Sequence, residues 1–216
     1  MAGATGLVGR AVLDRLLADK RYAAVHCVGR RAPARLDPRL TVHLLDSFSE
    51  FISPPVDDVF ISLGTTLKVA GSRPAFRALD LDAVVALARA GRAGRAAGAT
   101  HLGVVSAMGA DSRSPAFYNR IKGEMEAALG ALGFETLVIA RPSLLAGDRA
   151  SLGQPARFAE KWALRVLALI QPLVPAHYRP VQADAVAGAL VNRLRTAGPG
   201  RHVVLSGDLR LDAENL

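Results

Sequence analysis

Short apolar runs alternate along this chain with longer amphipathic stretches. The runs are rich in Val, Leu and Ile, which predicts strands over 24–28, 41–45, 59–63, 101–106, 137–140 and 202–205. Between them, apolar residues recur every three or four positions, which predicts helices over 7–20, 74–97, 115–132, 157–170 and 182–194. The alternation predicts an α/β protein with a doubly wound, mostly parallel sheet and helices on both faces.

The size of the chain fits a single domain, because 216 residues can bury a sizeable core without a second one. No apolar run reaches the roughly 18 residues that a membrane span requires. The nearest candidate, 162–176, contains Arg165, Pro172 and Pro175. No membrane span is therefore predicted.

The charge balance is basic, with a formal net charge of +8. Arginines supply most of the positive charge and are spread along the chain, which favours an anionic small ligand over specific nucleic-acid binding. The single cysteine, Cys27, excludes an internal disulfide and favours a reducing compartment, so we expect a cytoplasmic protein. The five histidines lack the spacing of metal ligands, and no metal site is predicted.

The most informative local pattern is a glycine-rich turn at the start of the first predicted helix. Three glycines stand at three-residue spacing within residues 3–9. Glycines let the backbone approach a pyrophosphate, and the free N–H groups and dipole of the following helix favour the anion. The residues expected to bind it are Gly3, Thr5, Gly6, Leu7, Val8 and Gly9.

The turn lies unusually close to the start of the sequence. A strand normally precedes such a turn at the centre of the sheet, and a strand usually takes about 5–6 residues. Here only Met1 and Ala2 precede Gly3. We expect that a short N-terminal strand is missing from the sequence. If the chain instead begins at Met1, we expect lower stability and weaker cofactor binding.

Two arginines, Arg30 and Arg31, follow the predicted strand 24–28. In a dinucleotide-binding fold, this strand end lies by the adenosine ribose, where an acidic residue would favour NAD. Guanidinium groups instead suit the oxygens of a 2′-phosphate. The pair therefore predicts NADP(H) as the cofactor, and two solvated loop arginines are the alternative.

A second motif, Tyr118-x-x-x-Lys122, lies in the predicted helix 115–132, and Ser106 precedes it at the end of a predicted strand. The four-residue spacing places Tyr118 and Lys122 on one side of the helix. A free tyrosine has a pKa near 10, and an ammonium about 4 Å away stabilises the phenolate by about 4 kcal/mol before desolvation. We expect Lys122 to lower the pKa of Tyr118, and Ser106 to hydrogen-bond a substrate carbonyl oxygen.

The glycine turn, Ser106 and Tyr118-x-x-x-Lys122 together resemble the short-chain dehydrogenase/reductase superfamily, and the wider run of residues looks most like its atypical branch, the Tat-interacting-protein-like oxidoreductases. The resemblance covers residues 3–148 well, as the cofactor-binding and catalytic part. It covers 149–216, expected to form a substrate-side cap and the last strand, only loosely. It implies hydride transfer from NADPH to a small-molecule carbonyl substrate, with Tyr118 as proton donor, Lys122 on the nicotinamide ribose and Ser106 orienting the carbonyl.

The resemblance also implies further cofactor contacts at the ends of predicted strands. They are Asp46 and Ser47 near the adenine, the loop Leu63, Gly64, Thr65 and Thr66, and the segment Arg141, Pro142 and Ser143 against the nicotinamide. An ordinary turn is the alternative role of Gly64. Asp80 stands where many members of the superfamily have an asparagine that relays protons, and no catalytic role is assigned to it.

Two other functions compete with a carbonyl reductase. Some atypical relatives bind NADP(H) and act through partner proteins as sensors or scaffolds, although a sensor does not need a tuned tyrosine. A nucleotide-sugar epimerase or dehydratase shares the motifs, yet usually needs a larger substrate domain than the roughly 70 residues after Ser143. We expect a monomer or homodimer, and the apolar cap predicts a substrate pocket, a core or a dimer face.

Overall fold

The computed structural model describes residues 1–94, 101–143, 145–146 and 180–209, and its strands run parallel. The strands are β1 Val25–Gly29, β2 Leu40–Leu44, β3 Asp58–Ile61, β4 His101–Val105, β5 Thr136–Arg141, β6 Leu145–Ala146, β7 Val181–Gln182 and β8 Gly200–Leu205. The helices are α1 Leu7–Ala18, α2 Leu67–Ala70, α3 Arg73–Arg77, a π-helical turn Ala78–Asp82, α4 Ala83–Ala93, α5 Phe117–Gly130 and α6 Ala183–Thr196.

Helices cover both faces of the sheet and create two apolar cores. Because alternate residues of a strand point to opposite faces, β5 contributes to both. Val138 and Ala140 pack with residues of α1 and α6, whereas Leu137 and Ile139 pack with residues of α3, α4 and α5. A strand buried on both faces needs a continuous apolar run, and the doubly wound α/β fold predicted from these runs is confirmed.

The order of the main strands is β2-β1 on one side and β3-β4-β5-β8 on the other. Ala2 joins the two groups, since it forms parallel bridges with Val28 and with Ile61. Its N–H donates to the Phe60 carbonyl at 2.8 Å, and the Ser62 N–H donates to the Ala2 carbonyl at 3.0 Å. The start of the chain thus occupies the central position of the sheet.

A cavity of about 270 Å³ continues the line of Met1 and Ala2 between β1 and β3. Its walls include Val25, Val59 and Phe60. At its edge the Met1 amino group donates to the His26 carbonyl, and the Val28 N–H donates to the Met1 carbonyl at 2.9 Å. Met1 and Ala2 therefore lie between β1 and β3, and the cavity lies beside them.

The helix predicted over 74–97 consists of three pieces, because the π-helical turn separates α3 from α4. A π-helical turn carries an extra residue, and the buried positions step from Phe76 to Leu81 across it. The structure describes this region to residue 94. The predicted helix 157–170 and the apolar residues of the cap lie outside the described residues.

Candidate functional site

The glycine turn packs the start of the chain directly against the end of β3. Gly3 has a φ of +90°, and a Cβ there would lie 2.7 Å from the Ser62 carbonyl carbon. A Cβ on Gly9 would lie 1.9 Å from the Gly3 oxygen. The backbone contacts at both positions thus require glycine. Within the described residues, no side chain caps the N-terminus of α1, so its N–H groups can bind an anion, which fits a pyrophosphate.

We expect Gly9→Ala to abolish dinucleotide binding. The added methyl group cannot fit against Gly3, so α1 must move away from the turn. In a thermal-shift titration, the variant should melt at a lower temperature and gain no stability from NADPH. Gly130→Ala is the control, since a Cβ there meets no described atom within 4 Å. A normal NADPH response in Gly9→Ala would exclude the turn as the binding site.

The residues expected around the adenosine end are exposed. Arg30 and Arg31 follow β1 directly, and Asp46 and Ser47 follow β2. Among the described residues, no carboxylate forms an ion pair with either arginine. Both guanidinium groups therefore remain available to an anionic ligand.

The loop after β3, residues 62–66, lies in space between the glycine turn and α5. Thr66 caps α2 by accepting a hydrogen bond from the Val69 N–H at 3.3 Å. The Thr65 N–H donates to Asp80 Oδ2 at 2.9 Å. A Cβ on Gly64 would lie 3.7 Å from Lys122 Nζ, so this loop borders the Tyr118-x-x-x-Lys122 motif.

Lys122 forms an ion pair with Asp80 in the interior of the protein. Its Nζ lies 2.7 Å from Asp80 Oδ1, and the two side chains are 3% and 0% exposed. Apart from this ammonium, no donor in the described part of the chain contacts Asp80 Oδ1. Attraction between the opposite charges links the two groups.

Tyr118 lies one helical turn before Lys122, and its ring packs against Phe76 with centroids 5.5 Å apart. Burial, and then the negative charge of Asp80, raise the pKa of Tyr118 to about 12. This direction is opposite to the lowering expected from Lys122 alone. The reason is that burial and the carboxylate of Asp80 both disfavour the charged phenolate.

The hydroxyl proton of Ser106 is directed towards Glu126 and is not available to a substrate at the strand ends. Its hydroxyl donates to Glu126 Oε1 at 2.6 Å, and Glu126 is 1% exposed. Glu126 also accepts two hydrogen bonds from Arg141, at 2.9 and 2.6 Å, and one from Arg201 at 2.9 Å. We call these four residues the Glu126 cluster. The expected contact of Ser106 with a substrate carbonyl stays a prediction.

The segment after β5 lies beside the Glu126 cluster. The Met108 N–H donates to the carbonyl of buried Pro142 at 3.0 Å, and the Ser143 N–H donates to Ser206 Oγ at 2.6 Å. The carboxyl ends of β3, β4 and β5 thus carry the expected loop, Ser106 and the 141–143 segment. Ligands of open α/β sheets bind at such strand ends.

Two buried acids of this site, Asp80 and Glu126, have structural roles that the motifs alone do not reveal. Glu126 lies one helical turn after Lys122, so the spacing of Tyr118, Lys122 and Glu126 places all three on one side of α5. That spacing was the available signal for Glu126. Among the described residues, no group of three or more His, Cys, Asp or Glu side chains could hold a metal ion.

Comparison with known sequences identifies close relatives, although no family model matches the chain. The chain is 36% identical over 205 residues to the mitochondrial protein Fmp52 of Aspergillus fumigatus, covering 89% of this chain and 84% of the relative. It is 34% identical over 220 residues to Fmp52 of Meyerozyma guilliermondii, covering 96% and 90%. The chain belongs to the Fmp52 family.

Membership of the Fmp52 family corrects the expected location. The relatives in Aspergillus fumigatus and Meyerozyma guilliermondii are named as mitochondrial proteins, so the prediction of a cytoplasmic protein is wrong. The prediction rested on Cys27, and a single buried cysteine indicates at most a reducing environment, which the cytoplasm shares with other compartments. In the described part of the chain, no helix is both long and apolar enough to cross a membrane.

Solved structures place the Fmp52 family among Rossmann folds. The enzyme WbmF of Bordetella bronchiseptica, in complex with NAD+, matches with a TM-score of 0.65 at 15% identity, over 99% of this chain and 76% of that one. UDP-glucose 4-epimerase of Thermotoga maritima gives 0.66 at 13% identity, over 95% and 76%. A short-chain dehydrogenase/reductase of unknown function from Caenorhabditis elegans, with cofactor, gives 0.63 at 14%, over 97% and 93%. The fold is that of the short-chain dehydrogenase/reductase and epimerase proteins.

Proposed function

We propose that this protein is an NADPH-dependent oxidoreductase that reduces a small-molecule carbonyl compound, as the resemblance to the atypical, Tat-interacting-protein-like branch implies. The observation that carries the proposal is the buried Lys122 ammonium, which lies 2.7 Å from Asp80 Oδ1 and one turn after Tyr118. An ammonium in this position suits the hydroxyl groups of a nicotinamide ribose. The names of the Fmp52 relatives support a mitochondrial location.

In the proposed mechanism, Tyr118 is the proton donor. The pKa of its phenol, raised to about 12, keeps the proton on Tyr118 at neutral pH. A nicotinamide held beside Tyr118 and Lys122 would supply the hydride for the carbonyl carbon. Tyr118 would supply the proton to the carbonyl oxygen, which gives an alcohol, and Lys122 would hold the nicotinamide ribose.

The direct test of the proposal is NADPH consumption with a panel of aldehydes and ketones. The purified protein should oxidise NADPH in the presence of at least one carbonyl compound and form the corresponding alcohol. NADPH binding without turnover across the panel would contradict the reductase proposal. That result would favour a second function, an NADP(H)-binding sensor, which the bond from Ser106 to Glu126 also favours because it withdraws the hydroxyl proton from substrate.

We expect Arg30→Ala with Arg31→Ala to weaken NADPH binding much more than NADH binding. A hydrogen bond to a charged group contributes about 1.5–3 kcal/mol, so the loss of even one such bond should raise the Kd for NADPH by about 10-fold to 100-fold. The Kd for NADH should change by less than about threefold, since it lacks the 2′-phosphate. Calorimetric titration measures both values.

The control for the arginine pair is Arg113→Ala, because the Arg113 side chain is 91% exposed and lies after β4, on a different loop. It removes one surface arginine without affecting the adenosine end. Equal losses for NADPH and NADH in the double variant would show that Arg30 and Arg31 do not bind the 2′-phosphate.

A further inference from the structure

The Glu126 cluster fixes the direction of the hydrogen bond that Ser106 makes. Ser106 Oγ and Glu126 Oε1 lie 2.6 Å apart, and two oxygen atoms approach this closely only with a proton between them. Either the serine hydroxyl or a protonated carboxyl group could supply that proton. The charges that surround Glu126 decide between the two.

Two guanidinium groups hold Glu126 in its ionised form. Arg141 donates to both carboxylate oxygens, at 2.9 and 2.6 Å, and Arg201 donates to Oε2 at 2.9 Å. Charged donors of this kind stabilise a carboxylate relative to the neutral acid, and Glu126 is 1% exposed, which strengthens their effect. An ionised carboxylate only accepts hydrogen bonds, so Ser106 is the donor.

Ser106 therefore presents only lone pairs to any other group. A hydroxyl has one proton and two acceptor positions, and Glu126 takes the proton. Rotation of the hydroxyl away from Glu126 would leave lone pairs of two oxygen atoms facing each other at 2.6 Å. Among the described residues, no donor contacts Ser106 Oγ. Directly after β4, at the carboxyl ends of the strands, the site thus offers a hydrogen-bond acceptor.

We infer that Ser106 accepts a hydrogen bond from the substrate, and that the substrate is a hydroxy-substituted carbonyl compound whose hydroxyl group lies next to the reacting carbonyl. Glu126 is the positioning residue that sets this preference. The inference rests on the proposed reductase function for the reaction at the carbonyl group. A carbonyl oxygen carries no proton and cannot bond to a serine that only accepts. A neighbouring hydroxyl can, and it leaves the carbonyl oxygen to Tyr118.

Two alcohols that differ in one donor test the inference by binding alone. They are propylene glycol and its methyl ether, in which a methyl group replaces the proton that Ser106 would accept. The complex of the native protein with NADP+ should bind propylene glycol more tightly. We expect a difference in Kd of about twofold to tenfold, the usual contribution of one neutral hydrogen bond. Ligand-detected NMR titration measures both values.

Ser106→Ala distinguishes the lost hydrogen bond from the size of the methyl group. The variant keeps both arginines on Glu126, and it should lose the preference for propylene glycol. A serine that donated to the reacting oxygen would behave differently, because its removal would weaken both alcohols alike and leave the preference. Ser53→Ala is the matched control. Ser53 Oγ donates to the Pro54 carbonyl at 2.8 Å, before the start of β3, so this variant should keep the native preference.

Glu126→Gln tests whether Glu126 sets the direction of the hydrogen bond. Glu126 Oε2 accepts from both arginines, whereas Oε1 accepts from Ser106 and one nitrogen of Arg141. The amide nitrogen should therefore replace Oε1 and donate to Ser106, which frees the serine proton for the ligand. The preference for propylene glycol should then disappear, since the ether oxygen can accept that proton. If Glu126→Gln does not fold, Ser106→Ala decides alone.

The inference and the reductase proposal fail on different results. Equal binding of the two alcohols to the native protein, or binding of neither, overturns the inference. A preference for propylene glycol without NADPH consumption by any carbonyl compound would support the inference and contradict the reductase proposal. NADPH consumption with methoxyacetone as fast as with hydroxyacetone would support a reductase and overturn the inference.

Discussion

Tyr118→Phe should lower turnover of NADPH with a carbonyl substrate by at least about 100-fold, because a positioned proton donor typically contributes 10²- to 10⁴-fold. The substitution removes one hydroxyl and leaves the ring packed against Phe76 at 5.5 Å. The Kd for NADPH should therefore change by less than about threefold. Steady-state kinetics and calorimetric titration of the same preparation separate the two effects.

Tyr22→Phe is the matched control for this experiment. Tyr22 also loses a hydroxyl, which donates to Asp58 at 2.7 Å, but Asp58 lies at the opposite end of β3 from the candidate site. We expect Tyr22→Phe to lower stability by about 1 kcal/mol without changing turnover. Turnover that survives in Tyr118→Phe would remove Tyr118 from the mechanism.

Glu126→Ala should lower the free energy of unfolding by about 3–5 kcal/mol, which is the usual effect of removing one partner of a buried ion pair. Glu126 holds three strands to α5, through Ser106 after β4, Arg141 at the end of β5 and Arg201 near the start of β8. Its removal leaves the half-buried guanidinium of Arg141 without the carboxylate that raises its pKa. Urea unfolding, followed by circular dichroism, measures the loss.

The control is Glu124→Ala on the same helix. Glu124 pairs with Arg77 at 2.6 Å, but the two side chains are 31% and 49% exposed, so solvent screens the interaction. Such a pair contributes at most about 1 kcal/mol. Similar losses in the two variants would mean that Glu126 does not hold the strand ends together.

The sequence was sufficient to predict the fold and the place of the motifs. Both depend on local patterns: apolar runs such as 137–140 recur with helical segments between them, and Gly3, Gly6 and Gly9 have a spacing that a turn followed by a helix requires. Tyr118 and Lys122 share a helix face because of their four-residue spacing. Such relations hold between near neighbours in the chain and therefore appear in the sequence.

The partners of the buried acids could not be predicted in the same way. Asp80 meets Lys122 only because α3, α4 and α5 pack on one face of the sheet, and Arg201 reaches Glu126 from the last strand. The direction of the Tyr118 pKa shift depends on these contacts, which is why Lys122 alone suggested the wrong sign.

The position of Met1 and Ala2 has a consequence for cofactor binding. Met1 hydrogen-bonds to β1 and Ala2 to the end of β3, so these residues join the β1–β2 half of the sheet to the β3–β8 half. A dinucleotide bound between the glycine turn, Arg30 and the Gly64 loop would contact both halves. Binding would therefore stabilise the contact between the two halves as well as the site itself.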